Sequence, residues 1–111
     1  MEKEKLIRIV ENGKQIGISK MIENNANTIV YTYAIQKKQD KYVVYIDEYN
    51  LDTVYADELG EPTEVVVVYE NIFDCIHNFH TKYDIQFEDL GISKGQKFFN
   101  IDLYMSKDNK L

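Results

Sequence analysis

The chain has 111 residues, a net charge of −6 and a single cysteine, Cys75. This length predicts one domain over residues 1–111, and a hydrophobic fraction of 44% is enough for a core without disulfide bonds. No stretch approaches the roughly 18 apolar residues of a membrane span, and the mixed charges of the first five residues do not indicate a secretory signal. We therefore expect a cytoplasmic protein, and its acidity argues against nucleic acid or an anionic membrane as a partner.

Residues 2–11 have two interpretations. Asn12 and Gly13 lie between two apolar stretches, which suits the two-residue turn of a β-hairpin. Alternatively, residues 2–11 form a helix and Gly13 lies just past its end. The sequence leaves both open.

The next segments predict two paired strands. Residues 28–35 are dense in β-branched and aromatic side chains, which favours a strand. The polar residues 36–40 can reverse the chain into a second strand at residues 42–46. We expect the two strands to pair in an antiparallel hairpin.

Residues 50–63 form the longest irregular section, and the apolar run at residues 65–69 follows it. A run without polar alternation is typical of a strand that is covered on both faces or lies centrally in a sheet. Because such a run on an open edge invites aggregation, we expect an interior strand.

The sequence then changes to helical spacing. The apolar stripe consists of Ile72, Phe73, Ile76, Phe79, His80 and Tyr83, at intervals of three and four. Asn71 suits the N-cap and Asp74 suits the first turn, where a negative charge is stabilised. With a short helical turn near residue 88 and a loop or late strand beyond it, the expected fold class is α+β. It consists of an antiparallel sheet of about four strands with one main helix packed on a face.

The charges are segregated along the chain. No lysine or arginine occurs between Tyr42 and Thr81, so the nine acids of that span leave a net +3 for the rest. A field of one sign costs free energy through self-repulsion, which a cationic partner would offset. The alternative is a solvated acidic face that only keeps the protein soluble.

The nine tyrosines, without any tryptophan, suggest where such a partner binds. If all were buried, every hydroxyl would need a buried partner, so several must reach solvent. Tyrosine beside carboxylate is a favoured composition for protein-binding surfaces, although tyrosines also fill the solvent side of sheets. Tyr31 and Tyr33 should share one strand face. The predicted partner-binding residues are Tyr45, Asp47, Glu48, Tyr49, Asp52, Tyr55, Asp57, Glu58 and Glu61.

Catalytic and metal sites are less well supported. His77 and His80 are three apart on the helix, which can suit one metal ion, but a zinc site normally recruits a ligand from elsewhere in the chain. We expect His80 to be packed or half-buried on the apolar stripe, and Cys75 to be a small buried cysteine on a different helix face from the histidines. Cys75 and His77, two apart on a helix, cannot readily share a hydrogen bond. Glycine-rich phosphate loops are absent from the sequence, so we expect no cofactor, no metal and no enzyme.

Three features of the second half go together. They are the apolar strand from Val65 with the helix after it, the segment at residues 83–90, and the Lys-Gly-Gln-Lys turn at residues 94–97 followed by Phe98 and Phe99. In these features, which cover about a third of the chain, it resembles the immunity proteins of bacterial polymorphic-toxin and contact-dependent growth inhibition systems. The resemblance implies a cytoplasmic protein that blocks a toxin, and a structural role for the turn. Gly95 would allow a positive φ there, and Phe98 or Phe99 would anchor the tail to the core.

The resulting hypothesis is an immunity protein that binds and neutralises a cognate toxin with a basic surface, such as a nuclease. The alternative is a phage-type acidic DNA-mimic inhibitor of a host nuclease. A small enzyme or metal-binding domain is the third possibility. The oligomeric state is not predicted.

Overall fold

The fold is described by a computed structural model for residues 2–24, 27–51, 64–92 and 97–102. Five antiparallel strands form one sheet in the order β4-β3-β2-β1-β5. The strands are β1 (Ile16–Asn24), β2 (Asn27–Lys38), β3 (Lys41–Asn50), β4 (Glu64–Tyr69) and β5 (Gly91–Ile92). The predicted α+β class is confirmed. The sheet has five strands instead of about four, and the additional strand, β5, has only two residues.

The N-terminal segment is a helix. The helix α1 (Lys3–Glu11) buries Leu6 and Val10, which are one turn apart and therefore share a face. It ends at Asn12, and Gly13 follows with φ +85°, a left-handed conformation that glycine adopts without strain. Of the two interpretations the helix is the one observed, so Asn12 and Gly13 do not form a hairpin turn.

The predicted hairpin of β2 and β3 is confirmed. Lys38 and Lys41 pair across a two-residue turn, Gln39 and Asp40, whose φ values are 53° and 64°. Left-handed conformations at both positions match the twist of the two strands, so the turn fixes their register. Tyr31 and Tyr33 lie on one face of β2, and Tyr45 and Tyr49 lie together on one face of β3.

The two α-helices of the described residues pack on the same side of the sheet, which we call the helical face. The main helix α2 (Ile72–Tyr83), α1 and the 3-10 helix Phe87–Asp89 cover it. The core there includes buried side chains of β1, β2 and β3 such as Ile16, Ile35 and Val44, each less than 4% exposed. Tyr33 and Tyr42 are also buried in this core, and their hydroxyls donate to Glu48 and Glu11 at its border.

The helix α2 is where the sequence predicts it, but rotated. Asn71 is its N-cap, and its Oδ1 accepts from the N–H groups of Phe73 at 2.8 Å and Asp74 at 3.2 Å. Ile72, Cys75 and Phe79 face the core, whereas Phe73 is 67% exposed and His80 is exposed. The predicted stripe was therefore wrong for Phe73 and His80, whereas the prediction of a buried Cys75, on a different face from the histidines, is confirmed. The buried side is the edge of the apolar stripe that Cys75 extends, and Phe73 lies on the other edge, so the spacing of the stripe alone does not select the buried side.

The strand β4 lies at an edge of the sheet, and the expectation of an interior strand was wrong. Within the described residues it pairs with β3 alone. Val65 is 48% exposed and Val68 is 44% exposed. The valine run of β4 therefore has no polar alternation even though Val65 and Val68 are both partly exposed to solvent. Composition alone therefore misjudged its position.

A smaller cluster lies on the other side of the sheet, which we call the reverse face. Phe99 and Ile101 of the C-terminal segment pack on Ala34, Val43 and Tyr45. The predicted anchoring by Phe99 is confirmed, although it contacts the reverse face and not the main core; Gly95 lies outside the described residues. Gly17 makes room here, because a Cβ on it would lie 2.8 Å from the Phe98 ring and 2.7 Å from the Tyr33 carbonyl oxygen.

The buried side chain of Gln15 fastens this segment to the sheet. Its Nε2 donates to the carbonyl oxygen of Phe99 at 2.9 Å and to Oε1 of Gln36 at 3.0 Å. Its Oε1 accepts from the N–H groups of Phe98 and Phe99 at 2.6 and 3.2 Å. One amide therefore satisfies three backbone groups that the packing removes from water.

Candidate protein-binding surface

The fold brings three of the five described acidic residues of the central span to one end of the sheet, whereas Glu70 and Asp74 follow β4 at the other end. Asp47 and Glu48 lie near the end of β3, and Glu64 begins β4 directly opposite Asp47. The chain leaves β3 and returns to β4 at this same end, which we call the acidic end. Five predicted residues lie in the intervening part of the chain, outside the described residues: Asp52, Tyr55, Asp57, Glu58 and Glu61.

The four described members of the predicted site do not share one surface. Side chains alternate along a strand, so Tyr45, Asp47 and Tyr49 lie on the reverse face and Glu48 lies on the helical face. Tyr45 is only 7% exposed, because the Phe99 ring stacks on it at a centroid distance of 5.1 Å. In this conformation Tyr45 is a packing residue, and Tyr49 is a half-exposed tyrosine of β3.

Lysines of β2 and β3 lie at the opposite end, around the turn at Gln39 and Asp40. Lys37 pairs with Glu11 at 3.0 Å, Lys38 pairs with Asp102, and Lys41 pairs with Glu70. These lysines are therefore matched by acids from other elements. The lysine end is therefore a mixture of paired charges, and Glu70 of the central acidic span is among its acids.

A cleft of about 380 Å³ lies next to the acidic end on the helical face. It forms because α2 ends at Tyr83, while β1, β2 and β3 continue beyond the helices. We call it the tyrosine cleft. Its lining residues are Lys20, Ile22, Tyr31, Tyr33, Glu48, Lys82, Tyr83 and Asp84.

The aromatic wall of the cleft is built from two elements. The Tyr31 and Tyr33 rings are nearly parallel, with centroids 6.3 Å apart, and Tyr83 tilts against Tyr33 at 5.6 Å. The Tyr33 hydroxyl donates to Glu48 Oε1 at 2.8 Å. Burial, followed by this hydrogen bond to a carboxylate, raises the pKa of Tyr33 well above its ordinary value. Tyr33 therefore stays protonated and holds Glu48 in place at the cleft.

Of the cleft residues, the sequence-based site contains only Glu48. The strand register aligns Lys20, Tyr31 and Glu48 in one row across β1, β2 and β3. This row can be identified only when the register of β1 with β2 and that of β2 with β3 are both known. The shared face of Tyr31 and Tyr33 was visible in the sequence. Their approach to Tyr83 and Asp84 was not, because it depends on where α2 crosses the sheet.

The histidines and the cysteine do not converge on a site. His80 Nδ1 lies 3.1 Å from the Gln86 amide nitrogen, and both side chains are exposed. Cys75 is buried, and burial raises the pKa of its thiol to about 12, so it is a poor nucleophile near neutral pH. Among the described residues, no three His, Cys, Asp or Glu side chains come close enough to hold a metal ion.

No helix in the described part of the chain has the length and apolar character to cross a membrane. The chain matches no protein-family model, no curated protein and no solved structure.

Proposed function

We propose that this protein is a cytoplasmic immunity protein, which binds and neutralises a cognate toxin with a basic surface. One observation carries the proposal. Asp47, Glu48, Glu64 and both attachment points of the acidic segment at residues 52–63 lie at one end of the sheet, beside the tyrosine cleft.

The carboxylates of the acidic end act together. Several carboxylates gathered at one end produce a negative potential that extends into solvent and speeds the approach of a cationic protein. The lysines around the β2–β3 turn already have acidic partners, so they compete little with an incoming basic surface. Such a field favours a toxin that acts on nucleic acid, since its active site must attract phosphates.

The exposed tyrosines near the acidic end are the candidate anchors for a partner. Binding energy at protein interfaces concentrates on a few residues, with tyrosine and arginine enriched among them. Tyr31 and Tyr83 are partly exposed at the cleft, and Tyr49 is partly exposed on the reverse face of the same end. We assign the anchoring role to these tyrosines and to Tyr55, in place of Tyr45, whose ring Phe99 covers.

The first test is co-purification with the product of the adjacent gene, followed by association kinetics between about 50 and 500 mM salt. A toxin gene next to this one supports the proposal, and phage genes favour the DNA-mimic alternative. We expect the association rate to fall at least about tenfold over this range, because steering between opposite charges is screened. A rate that does not change with salt contradicts the electrostatic argument.

The second test reverses charge at two matched places. The variant D57K/E58K changes an adjacent acidic pair in the acidic segment, and E88K/D89K changes an adjacent, exposed pair on the 3-10 helix. Both alter the net charge by the same amount. We expect the first to weaken toxin binding at least about a hundredfold and the second to change it less than about fivefold. Equal effects would mean that net charge, and not the acidic end, determines binding.

A further inference from the structure

The tyrosine cleft contains two carboxylates and two ammonium groups, which differ in how firmly they are held. Glu48 is fixed by the hydrogen bond from Tyr33. Asp84 is a short side chain on the left-handed residue that ends α2, and its N–H donates to the His80 carbonyl oxygen at 3.2 Å. Lys20 and Lys82 are exposed and have long stems, so their charges can turn outward into water. A ligand in the cleft therefore meets one carboxylate that is held in place, a second on a short side chain, and positive charges that long stems can move away.

Two other features of the cleft favour a cation. The faces of tyrosine rings carry negative potential and attract ammonium and guanidinium groups. The Lys82 Nζ already lies 5.7 Å from the centroid of the Tyr83 ring, so this ring accepts a cation within the protein itself. The cleft also lies at the C-terminal end of α2, which is the negative end of the helix dipole.

From this geometry we infer that the tyrosine cleft binds an arginine side chain of the partner protein. Naming the partner as the source of the arginine rests on the proposed function; the chemistry of the cleft does not. A guanidinium group can stack on Tyr31 or Tyr83 while its N–H groups donate to Glu48 or Asp84. Lysine fits less well, because its ammonium does not stack and cannot form the bidentate pair.

The direct test is an NMR titration of the ¹⁵N-labelled protein with N-acetyl-arginine amide, run in parallel with N-acetyl-glutamate. We expect saturable shifts at the amides of Ile22, Tyr31 and Tyr83 with the arginine compound, and a dissociation constant on the order of millimolar, as suits so small a ligand. The glutamate compound should produce no saturable shift there. Equal responses to both compounds, or a response to glutamate alone, would overturn the inference.

Variants of the cleft test the assignment of charges. E48Q keeps an oxygen that can accept from Tyr33, and D84N keeps a residue type that tolerates the left-handed backbone. Each should weaken arginine binding about fivefold to tenfold through the loss of a charge-assisted hydrogen bond. K82M should strengthen it, because a competing cation is removed, whereas E88Q, outside the cleft, should leave it unchanged. Unchanged binding in both E48Q and D84N would overturn the inference.

The titration needs no toxin, so the two proposals fail separately. If arginine amide binds in the cleft and no basic protein associates with the chain, the immunity function is wrong and the cleft assignment stands. If a toxin binds with the predicted salt dependence but arginine amide does not, the cleft assignment alone is wrong.

Discussion

Gln15 shows how much one buried amide can determine. Its side chain is 4% exposed and bonds to three backbone groups of Phe98 and Phe99. The variant Q15L retains the volume but leaves those groups without their partner. We expect a loss of about 2–4 kcal/mol in the free energy of unfolding, measured by urea denaturation. The control Q86L removes an exposed amide and should change stability by less than about 0.5 kcal/mol. Similar losses in both variants would contradict this role.

Glu11 gives the fold a dependence on acid. The Tyr42 hydroxyl and the Lys37 ammonium both donate to its carboxylate, and together they lower the pKa of Glu11 below its ordinary 4.5. A lowered pKa means that the unfolded chain takes up the proton first. Glu11 therefore stabilises the fold above pH 4.5, and this contribution is lost as the pH falls through the folded-state pKa.

The variant E11Q tests this dependence. Stability measured from neutral pH down to about pH 3 should fall less steeply in E11Q than in the wild type, since one acid with a lowered pKa is removed. The exposed carboxylate of Glu88, replaced in E88Q, serves as the control. If the stability of E11Q and that of E88Q fall equally steeply with decreasing pH, the contacts of Glu11 with Tyr42 and Lys37 do not persist in solution.

At the scale of elements, β4 is the clearest departure from the sequence-based interpretation. Its edge position predicts that V68K, at a side chain 44% exposed, costs less than about 1 kcal/mol and reduces aggregation on heating. The matched change V43K, in the neighbouring strand at a fully buried valine that pairs with Val68, should cost more than about 4 kcal/mol. Urea denaturation and light scattering measure both. An equal cost would mean that β4 is covered in the folded protein.

The elements that the sequence does predict have local causes. Asn71 can accept from two N–H groups that follow it, so it marks the start of α2 without help from the rest of the chain. The β-branched and aromatic run of β2 is equally self-sufficient. The buried side of α2 and the position of β4 in the sheet depend instead on which elements pack together. The local sequence does not determine this packing.

At the scale of the whole molecule, the charge pattern was predictable and the cleft was not. The absence of lysine and arginine between Tyr42 and Thr81 can be counted in the sequence, and the pairing of β3 with β4 places Asp47, Glu48 and Glu64 of that span at one end of the sheet. The tyrosine cleft joins residues of β1, β2, β3 and α2. The cleft can be recognised only when both the strand register and the position of α2 are known. The sequence predicted part of the register, through the β2–β3 hairpin, but not the position of α2.

The two faces of the sheet should also differ in stability. The reverse-face cluster consists of a few side chains around Tyr45 and Phe99, whereas the helical face carries the main core. We expect native-state hydrogen exchange to show that the amides of Phe98 and Phe99 open at a free energy at least about 2 kcal/mol below that of Val44 in β3. Equal values would mean that the C-terminal segment and the main core unfold as one unit.

The late position of Phe99 in the chain also has a consequence for biosynthesis. Phe99 contacts elements made much earlier, including Gln15, which lies 84 residues before it. A ribosome adds roughly 5–20 residues per second, so several seconds separate the appearance of Tyr45 from that of the ring that stacks on it. Throughout that interval a nascent chain with a finished β2–β3 hairpin presents an uncovered apolar strip. Chaperones that recognise such strips should therefore meet this protein during translation more readily than after release.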